Sequence, residues 1–280
     1  VMKHILITGA GGFVGRQVLK ALKGKGHRVT AVLRPGQQLP AGYEADAAVV
    51  TPDLFSEDEA WWRERLGGID CVIHSAWYVE PGKYLDNPRN LDCVAGSIAL
   101  AKAAVAAGAG HFIGIGTCME YRLPGDRLAV DSPLEPATLY AAAKLALYHM
   151  LGHFLPGTAT TFSWCRLFYL YGEGEYAARL VPYVRAQLEK GETVKLSAGT
   201  QLRDYLDVAE AGRQIATVVE TGQTGAINIC SGKAVTIRAL VESIADEYGR
   251  RDLLEFGTAA IHPSDPAAVV GIPNLIRPGG

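Results

Sequence analysis

Short apolar runs alternate, along the first two-thirds of the chain, with longer segments whose apolar residues recur at helical spacing. Runs of this kind, bounded by glycine and polar residues, are typical of buried strands. The predicted strands are His4–Thr8, Arg28–Leu33, Ala47–Val50, Cys71–His74, His111–Ile115 and Phe162–Leu167. The predicted helices include Asn90–Ala107, Leu139–Phe154 and Leu180–Leu188.

This alternation predicts an α/β fold, in which a doubly wound parallel sheet carries helices on both faces. At 280 residues the chain is long for a single compact core, so we expect a large domain and a smaller lobe. The large domain is expected over residues 1–168, with a return of the chain to the sheet near 204–230. The smaller C-terminal lobe is expected over 169–203 and 231–280.

The first predicted strand runs directly into a glycine-rich turn, after which helical spacing begins. Three glycines lie three residues apart, a pattern that permits a sharp turn, the approach of a pyrophosphate and close packing of helix on strand. The phosphates would meet the positive end of the new helix. This predicts a Rossmann-type dinucleotide-binding domain. The residues expected at the cofactor are Gly9, Gly11, Gly12, Phe13, Val14 and Gly15.

The second predicted strand is followed by Arg34, at the position that faces the adenosine ribose in such a fold. An acid there would favour NAD, but no acidic residue follows before Glu44. Arg34 can instead pair with a 2′-phosphate through its planar guanidinium, which favours NADP. The alternative is a solvated loop arginine. Asp53 and Leu54 are expected to bound the adenine, unless Asp53 caps the helix that begins near Ser56.

Composition narrows the classes of protein and partner. A hydrophobic fraction of 49% with 20% charged residues is typical of a folded chain, and a net charge of −2 gives no general attraction for nucleic acid or an anionic membrane. The five cysteines lack paired spacing, which favours reduced core thiols over disulfides or a zinc site, and no metal is expected. No leader or long apolar span is found, so a cytoplasmic location is expected.

The catalytic signal is a tyrosine and a lysine four residues apart in a helix-favouring segment, Tyr140 and Lys144. This separation places phenol and ammonium on one helical face, about 6 Å apart along the axis. A nearby positive charge favours the phenolate and is expected to bring the pKa of Tyr140 towards neutrality. Thr117, which follows the fifth predicted strand by two residues, supplies a hydroxyl that can bond the same substrate oxygen. The alternative is that Tyr140 and Lys144 are only surface neighbours and that Thr117 is an ordinary turn residue.

Taken together, these motifs resemble the extended short-chain dehydrogenase/reductase family, in its nucleotide-sugar epimerase/dehydratase/reductase branch. The resemblance continues through an asparagine that opens a helix and through three later segments. The residues that carry it are Thr8–Gly15, Val72–Ala76, Asn90, Thr117, Tyr140, Lys144, Arg166–Gly172, Arg203–Val208 and Ile227–Gly232.

The resemblance implies roles for the residues that match the family pattern. Tyr140 would donate or accept a proton, Lys144 would lower its pKa and bond the nicotinamide ribose, and Thr117 would hold the sugar oxygen. Ser75 and Ala76 would contact the cofactor. The residues expected at a nucleotide-diphosphate sugar substrate are Trp77, Cys118, Tyr169, Leu180 and Arg203, with Arg203 neutralising the diphosphate. Tyr169 departs from the pattern, because the family usually carries asparagine there.

The segment Thr117-Cys118-Met119 narrows the choice of reaction. The resemblance implies that a dehydratase of this family would carry Thr-Asp-Glu at these positions. Without that acid and base, dehydration is disfavoured, and Cys118 is interpreted as a packing thiol. Arg34 then favours an NADPH-dependent reductase of a nucleotide-linked 4-keto-6-deoxy sugar, in deoxysugar synthesis. The alternatives are an NAD-dependent 4-epimerase and a non-catalytic NADP-binding redox sensor. The alanine-rich helices resemble those that pair in family homodimers, so a homodimer is expected.

Overall fold

The computed structural model describes residues 1–277, so the last three positions of the lobe expected over 231–280 lie outside the described residues. Its strands are β1 His4–Thr8, β2 Arg28–Leu33, β3 Ala47–Val50, β4 Cys71–His74, β5 His111–Thr117, β6 Gly125–Leu128, β7 Thr161–Leu167, β8 Tyr169–Tyr171, β9 Val194–Leu196, β10 Leu202–Asp207, β11 Gly225–Ile229, β12 Ala234–Thr236, β13 Leu254–Phe256 and β14 Ala268–Gly271. Its α-helices are α1 Gly15–Gly24, α2 Glu59–Arg65, α3 Arg89–Ala106, α4 Leu139–Phe154, α5 Leu180–Lys190, α6 Val208–Thr221 and α7 Ile237–Tyr248.

A seven-stranded sheet forms the centre of the molecule, in the order β11-β7-β5-β4-β1-β2-β3. Every neighbouring pair is parallel. The order reverses between β1 and β4, and in sheets of this type the ligand crevice opens beyond the carboxyl ends of the strands at such a reversal. The expected α/β fold with a Rossmann-type doubly wound parallel sheet is therefore confirmed.

The predicted strands agree closely with the observed ones. The first four have the predicted bounds, β5 continues two residues further to Thr117, and β7 begins one residue earlier at Thr161. The extension of β5 matters for the site, because it makes Thr117 the last residue of a buried strand. The helix predicted over Asn90–Ala107 is shifted by one residue, and the one predicted over Leu180–Leu188 runs on to Lys190.

Apolar side chains of the helices cover both faces of the sheet. Residues of α1 and α6 pack on one face, and residues of α2, α3 and α4 pack on the other. Gly212 of α6 lies so close to the backbone of Gln17 in α1 that a Cβ at Gly212 would collide with it. The glycine therefore sets the separation of these two helices. The core residues on the first face include Val18, Leu22, Ile215 and Val219; on the second they include Trp62, Leu100, Leu147 and Leu151.

A second sheet lies beyond the main one, in the order β12-β10-β14-β6, with β8 paired to β10. Within residues 204–230, α6 packs on the main sheet and β11 joins it as a strand, whereas β10 belongs to the second sheet. A separate apolar cluster joins α5, α7 and the β9 strand. The division into residues 1–168 and a smaller lobe remains a prediction.

All five cysteines are buried, and none is bridged to another. Burial raises the pKa of the thiols of Cys71, Cys118, Cys165 and Cys230 to about 12. Protonated, buried thiols of this kind behave as small apolar groups. Among residues 1–277, no helix is both long and apolar enough to cross a membrane.

Candidate active site

The glycine-rich turn joins β1 to α1 through backbone contacts that leave no room for side chains. Gly9 has a positive φ of 71°, a conformation that L-residues with a Cβ rarely adopt. A Cβ at Gly9 would also lie 2.8 Å from the backbone nitrogen of Ala76, and a Cβ at Gly15 would overlap the carbonyl oxygen of Gly9. The turn is closed by a hydrogen bond of 2.9 Å from the Gly12 N–H to that carbonyl oxygen.

The residues around this turn fit a dinucleotide. Helix α1 begins at Gly15 without a side-chain cap at Val14, and although the Arg16 and Gln17 N–H groups donate to backbone carbonyls, the positive end of the helix dipole faces this turn. Arg16 in the first turn has a buried Nε with no hydrogen-bond partner among the described residues. Gly11 and Gly12 bring bare backbone to the same place. Phe13 and Val14 pack against the core beneath it.

On the expected adenosine side of the cofactor site, Arg34 and Gln37 lie in the loop that follows β2. Arg34 is exposed, and its backbone N–H donates to Oε1 of Gln37 at 3.0 Å. The Gln37 amide lies over Gly11, at the position where a Cβ would project. A role for Gln37 beside the turn was missed by the sequence analysis, since nothing in a loop glutamine distinguishes it. The pairing of Arg34 with a 2′-phosphate remains a prediction.

Asp53 does not cap the following helix, because α2 begins at Glu59 and is capped by Asp58. Its carboxylate instead accepts from the Phe55 N–H at 3.1 Å and the Ser56 hydroxyl at 2.9 Å, and it forms an ion pair with Arg89. Burial alone would raise the pKa of Asp53, but the hydrogen bonds, chiefly that from Arg89, outweigh burial and lower it. Leu54 packs beside the second face of the core. Contact of either residue with adenine remains a prediction.

Ser75 and Ala76 follow β4 and are held against β1 by a buried hydrogen-bond network. The Ala76 N–H donates to the Thr8 hydroxyl oxygen at 3.1 Å, and that hydroxyl lies 2.8 Å from Nδ1 of His74. Nε2 of His74 lies 2.7 Å from the hydroxyl oxygen of Ser97 in α3. Burial lowers the pKa of His74 to about 3, so the ring is neutral and bridges two hydroxyls. Ser75 and Ala76 therefore lie directly beside the glycine turn.

The structure brings Thr117, Tyr140 and Lys144 together at the carboxyl end of β5. Thr138 caps α4 by accepting from the Ala141 N–H at 3.2 Å, which places Tyr140 in the first turn of the helix. The Thr117 side chain lies close enough to the Tyr140 phenol to lower its pKa. Lys144 is 3% exposed, and its ammonium donates to the carbonyl oxygen of Ile115 at 2.7 Å.

The pKa of Tyr140 is raised here, whereas the sequence analysis expected Lys144 to lower it. Burial of the phenol is the main cause, and Tyr84 and Glu120 add to it, while the hydrogen bond with Thr117 acts in the opposite direction. Lys144 is not among the groups that shift this pKa, and burial lowers the pKa of Lys144 itself to about 7. A buried ammonium near its pKa is a weak and variable source of positive charge.

Glu120, three residues after Thr117, has a structural role. Glu120 is fully buried and forms an ion pair of 2.7 Å with Arg166, which is also fully buried. Its Oε1 accepts from the backbone N–H of Thr117 at 2.9 Å and from Nε1 of Trp164 at 3.0 Å. Thr117 and Glu120 form a capping box, whose Thr-x-x-Glu spacing is visible in the sequence. This network fixes the backbone of Thr117 through its N–H.

Two residues near Tyr140 were missed or placed differently by the sequence analysis. Tyr84, in the segment between β4 and α3, packs edge-to-face on Tyr140, with ring centroids 4.9 Å apart. The same segment accepts a hydrogen bond of 2.8 Å from the Tyr140 N–H at the carbonyl oxygen of Leu85. Trp77 lies with its ring over the Lys144 ammonium at 3.8 Å. A loop with this composition carries no motif that would have identified Tyr84.

Of the residues expected at the substrate, Arg203 and Tyr169 lie on the second sheet, in β10 and β8. Arg203 is buried, forms an ion pair of 2.5 Å with Asp265 and lies over the ring of Tyr169, 5.1 Å from its centroid. Cys118 is buried beside Tyr169 in an apolar cluster, which fits its interpretation as a packing thiol. Leu180 opens α5. The expected charge at Arg203 is thus already balanced by a carboxylate that the sequence analysis did not anticipate.

Comparison with known proteins agrees with this geometry. Residues 5–230 match the model of the NAD dependent epimerase/dehydratase family. The chain therefore belongs to this family, and the resemblance to the extended short-chain dehydrogenases/reductases is confirmed. A dTDP-6-deoxy-L-talose 4-dehydrogenase (NAD(+)) of Aggregatibacter actinomycetemcomitans is 26% identical over 270 residues, which cover 96% of this chain and 99% of the relative.

Two further similar proteins represent other members. A UDP-glucose 4-epimerase of Corynebacterium glutamicum is 24% identical over 95% of this chain and 86% of its own. A solved structure of MoeE5 in complex with UDP-glucuronic acid and NAD superposes with a TM-score of 0.80 at 25% identity, covering 96% of this chain and 89% of that one. Each covers most of both chains, so the likeness extends over the second sheet as well.

We expect Gly15→Ala to weaken both folding and dinucleotide binding, because the added Cβ would overlap the carbonyl oxygen of Gly9. Overpacking of this kind costs about 1–3 kcal/mol. Gly24 is the matched control, since it ends the same helix and a Cβ there meets nothing within 4 Å. Gly24→Ala should leave binding unchanged and stabilise by up to about 1 kcal/mol. Urea denaturation and calorimetric titration with NADH and NADPH measure both; equal effects of the two variants would contradict the expectation.

Proposed function

We propose that this protein is a nucleotide-sugar oxidoreductase that reduces a nucleotide-linked 4-keto-6-deoxy sugar with NADPH, with Tyr140 as the proton donor. The observation that carries the proposal is the composition of the site around Tyr140. Thr117 and Lys144 lie at the carboxyl end of β5 together with Tyr140. The two positions after Thr117 hold a buried thiol and a methionine, Cys118 and Met119. The nearest carboxylate in sequence, Glu120, is committed to Arg166.

This arrangement supports hydride transfer over elimination of water. Elimination from a sugar needs an acid and a base of its own beside the tyrosine. Glu120 cannot act as either while its oxygens accept from Arg166, Trp164 and the Thr117 backbone. Reduction of a ketone needs only one proton donor and a group that orients the carbonyl oxygen. Tyr140 and Thr117 supply these two functions.

Each residue of the triad has one task in the proposed reaction. When bound, the nicotinamide cofactor supplies a hydride to the sugar carbon. Tyr140 holds its proton firmly, because burial raises its pKa, and gives it to the carbonyl oxygen as negative charge develops there. Thr117 donates a second hydrogen bond to the same oxygen. Lys144, protonated below a pH of about 7, places a positive charge within one helical turn of the phenol.

The relatives support the chemistry more than the cofactor. The name of the Aggregatibacter protein describes oxidation at position 4 of a 6-deoxy sugar nucleotide, which is the reverse of the proposed reduction. The same name specifies NAD, and MoeE5 was solved with NAD. Arg34 is the reason to propose NADPH, because its exposed guanidinium follows β2 with no acid close behind it. NAD is the alternative cofactor.

We propose Arg203 as the group that neutralises the substrate diphosphate. Its guanidinium is 3% exposed and is paired with Asp265, whose side chain is 37% exposed. The carboxylate therefore lies between the arginine and solvent. A diphosphate that pairs bidentately with Arg203 would have to share it with Asp265 or displace that residue. Trp77, Tyr169, Cys118 and Leu180 are proposed as further walls of the substrate site.

A 4-epimerase is the second candidate, and the similarity to the Corynebacterium epimerase favours it. It would use the same Tyr140, Lys144 and Thr117 but would need NAD to remain bound through oxidation and reduction. A non-catalytic redox sensor on the same fold is a third candidate. The assembled triad argues against a sensor, because dinucleotide binding alone does not require Thr117 beside Tyr140.

The function is tested with purified protein, a panel of nucleotide-linked 4-keto-6-deoxy sugars, and NADPH or NADH at matched concentration. We expect loss of absorbance at the reduced nicotinamide band with NADPH, and a slower reaction with NADH. An Arg34→Ala variant should reverse that preference. Interconversion of sugar epimers by copurified NAD, without net consumption of reduced cofactor, would establish the epimerase. Binding of the dinucleotide without either reaction would establish the sensor.

Tyr140→Phe is expected to lower the turnover rate by at least about 100-fold, because a positioned general acid contributes roughly this factor. Cofactor binding should remain, since only a hydroxyl is removed. Tyr176→Phe is the matched control, because Tyr176 is 57% exposed and its ring is not part of the site. Steady-state rates and titration of cofactor fluorescence measure the two effects. A Tyr140→Phe enzyme with full turnover would exclude Tyr140 as the proton donor.

We also propose a homodimer that buries the exposed faces of α3 and α4. Leu91 on α3 is 59% exposed, and Met150 and Phe154 on α4 are 50% and 39% exposed. Exposed apolar side chains on neighbouring helices are typical of an association surface. Met150→Glu should convert a dimer of the native protein into a monomer in light-scattering measurements, and Ile261→Glu, at an exposed position near the C-terminus, should not. A native protein that is monomeric would contradict the proposal.

A further inference from the structure

The ammonium of Lys144 has an aromatic neighbour that its expected role does not explain. Nζ of Lys144 lies 3.8 Å from the centroid of the Trp77 ring, over its face. An ammonium has three hydrogens to donate, and among the described residues Lys144 donates to one acceptor, the carbonyl oxygen of Ile115. Lys144 is 3% exposed, so water replaces little of what is missing. The negative face of the indole is thus a principal stabilising contact of this cation.

The indole is fixed in this position by contacts that do not involve Lys144. Its Nε1 donates to Oδ1 of Asn90 at 2.8 Å. The amide nitrogen of Asn90 in turn donates to the carbonyl oxygens of Tyr84 at 2.7 Å and Asn87 at 2.9 Å. The Phe55 ring packs edge-to-face on Trp77, with centroids 6.3 Å apart. The ring therefore has a defined orientation before a cation is placed over it.

These contacts form a continuous chain from Lys144 to Tyr140, the two residues of the proposed catalytic pair. Lys144 contacts Trp77, Trp77 is bonded to Asn90, and Asn90 holds the segment that carries Tyr84. Tyr84 packs on the ring of Tyr140, four residues before Lys144 in the same helix. Phenol and ammonium are therefore held from the helix on one side and from the loop after β4 on the other.

We infer that Trp77 is a positioning residue, which holds the Lys144 ammonium in its charged form and in place beside Tyr140 through the face of its indole ring. The inference rests on the proposed function for the catalytic role of Lys144. It is a role additional to the proposed one of Trp77 as a wall of the substrate site, because the ring acts here through the lysine. Loss of the indole would remove a stabilising contact from the cation and none from neutral lysine.

The ionisable groups that face Lys144 come from three other elements and its own helix. Glu120 from the segment after β5 raises the pKa of Lys144, and Cys93 from α3 adds to this effect. Burial outweighs both and lowers that pKa to about 7. His74 at the end of β4 is neutral, because burial lowers its pKa to about 3, and burial raises the pKa of Cys93 and of Tyr140. A titration near neutrality at this place therefore belongs to Lys144.

The test follows the ionisation of Lys144 directly, by NMR of protein labelled with ¹³C at lysine Cε. The resonance is assigned by its loss in Lys144→Met. In Trp77→Leu the midpoint should fall by about one pH unit, because a desolvated cation–π contact contributes roughly that much. Trp77→Phe keeps an aromatic face but loses the bond to Asn90, so its midpoint should fall by less. It also preserves more of the packing if the leucine variant is poorly folded.

Trp61→Leu is the matched control. Trp61 also carries a cation over its ring, with Cζ of Arg65 3.8 Å from the centroid, but on α2 and outside the site. Its loss should leave the Lys144 midpoint unchanged. In activity measurements, Trp77→Leu should move the alkaline limb of the pH profile of kcat down by about one unit, whereas a loss of packing alone lowers kcat equally at every pH.

An unchanged Lys144 midpoint in both Trp77 variants would overturn the inference. So would a rise, which water entering the space of the indole would produce. The proposed function fails separately, since full activity of Lys144→Met would remove the catalytic role of the lysine while the NMR midpoints still report whether Trp77 holds the cation. A lowered midpoint with an inactive Lys144→Met supports both.

Discussion

The contact between bare backbone at Gly9, Gly15 and Ala76 is the constraint on which the site depends. Here the order of the sheet reverses, and β1, β4 and α1 meet with no side chain between them. Any Cβ at Gly9 or Gly15 would push these elements apart. Because they meet closely, the start of α1 and the ends of β1 and β4 form one continuous polar surface at the carboxyl edge. A dinucleotide that binds by its backbone-facing phosphates needs such a surface.

A second constraint is the buried charge behind Thr117. The Glu120–Arg166 pair has no exposed surface and is bonded to the Thr117 N–H, Trp164 and Tyr121, while Nη2 of Arg166 has no partner among the described residues. Buried pairs contribute little net stability, but their geometry is strict, since each group must be matched. The pair therefore fixes the position of Thr117 at the end of β5. It also leaves the site without a free carboxylate, which is what separates the proposed oxidoreductase from a dehydratase.

The low polarity around Tyr140 and Lys144 links these two constraints to chemistry. Lys144 is buried and Tyr140 is partly buried, and desolvation raises the pKa of the phenol and lowers that of the ammonium. A cofactor and a substrate would add charge and exclude more water, and each nearby dipole would then act more strongly. In such surroundings the face of Trp77 is a significant partner for a cation, whereas in water it would be a weak one.

The sequence by itself determined the features that depend on local order. Hydrophobic alternation located β1 to β4 to the residue, the glycine spacing placed the turn, and the four-residue separation of Tyr140 and Lys144 placed them on one helical face. These follow from short-range geometry, which spacing encodes. It also located Thr117, although it ended β5 two residues too early.

Only the tertiary structure decided which distant residues meet. Glu120 with Arg166, Asp53 with Arg89, Arg203 with Asp265 and Trp77 with Lys144 are each separated by more than thirty residues. No local pattern predicts such pairs, because they depend on how strands are ordered in the sheet and on how the second sheet lies beside it. The pKa of Tyr140 also depends on the fold, because burial and the approach of Tyr84 and Glu120 raise it, and spacing along the chain predicts none of these.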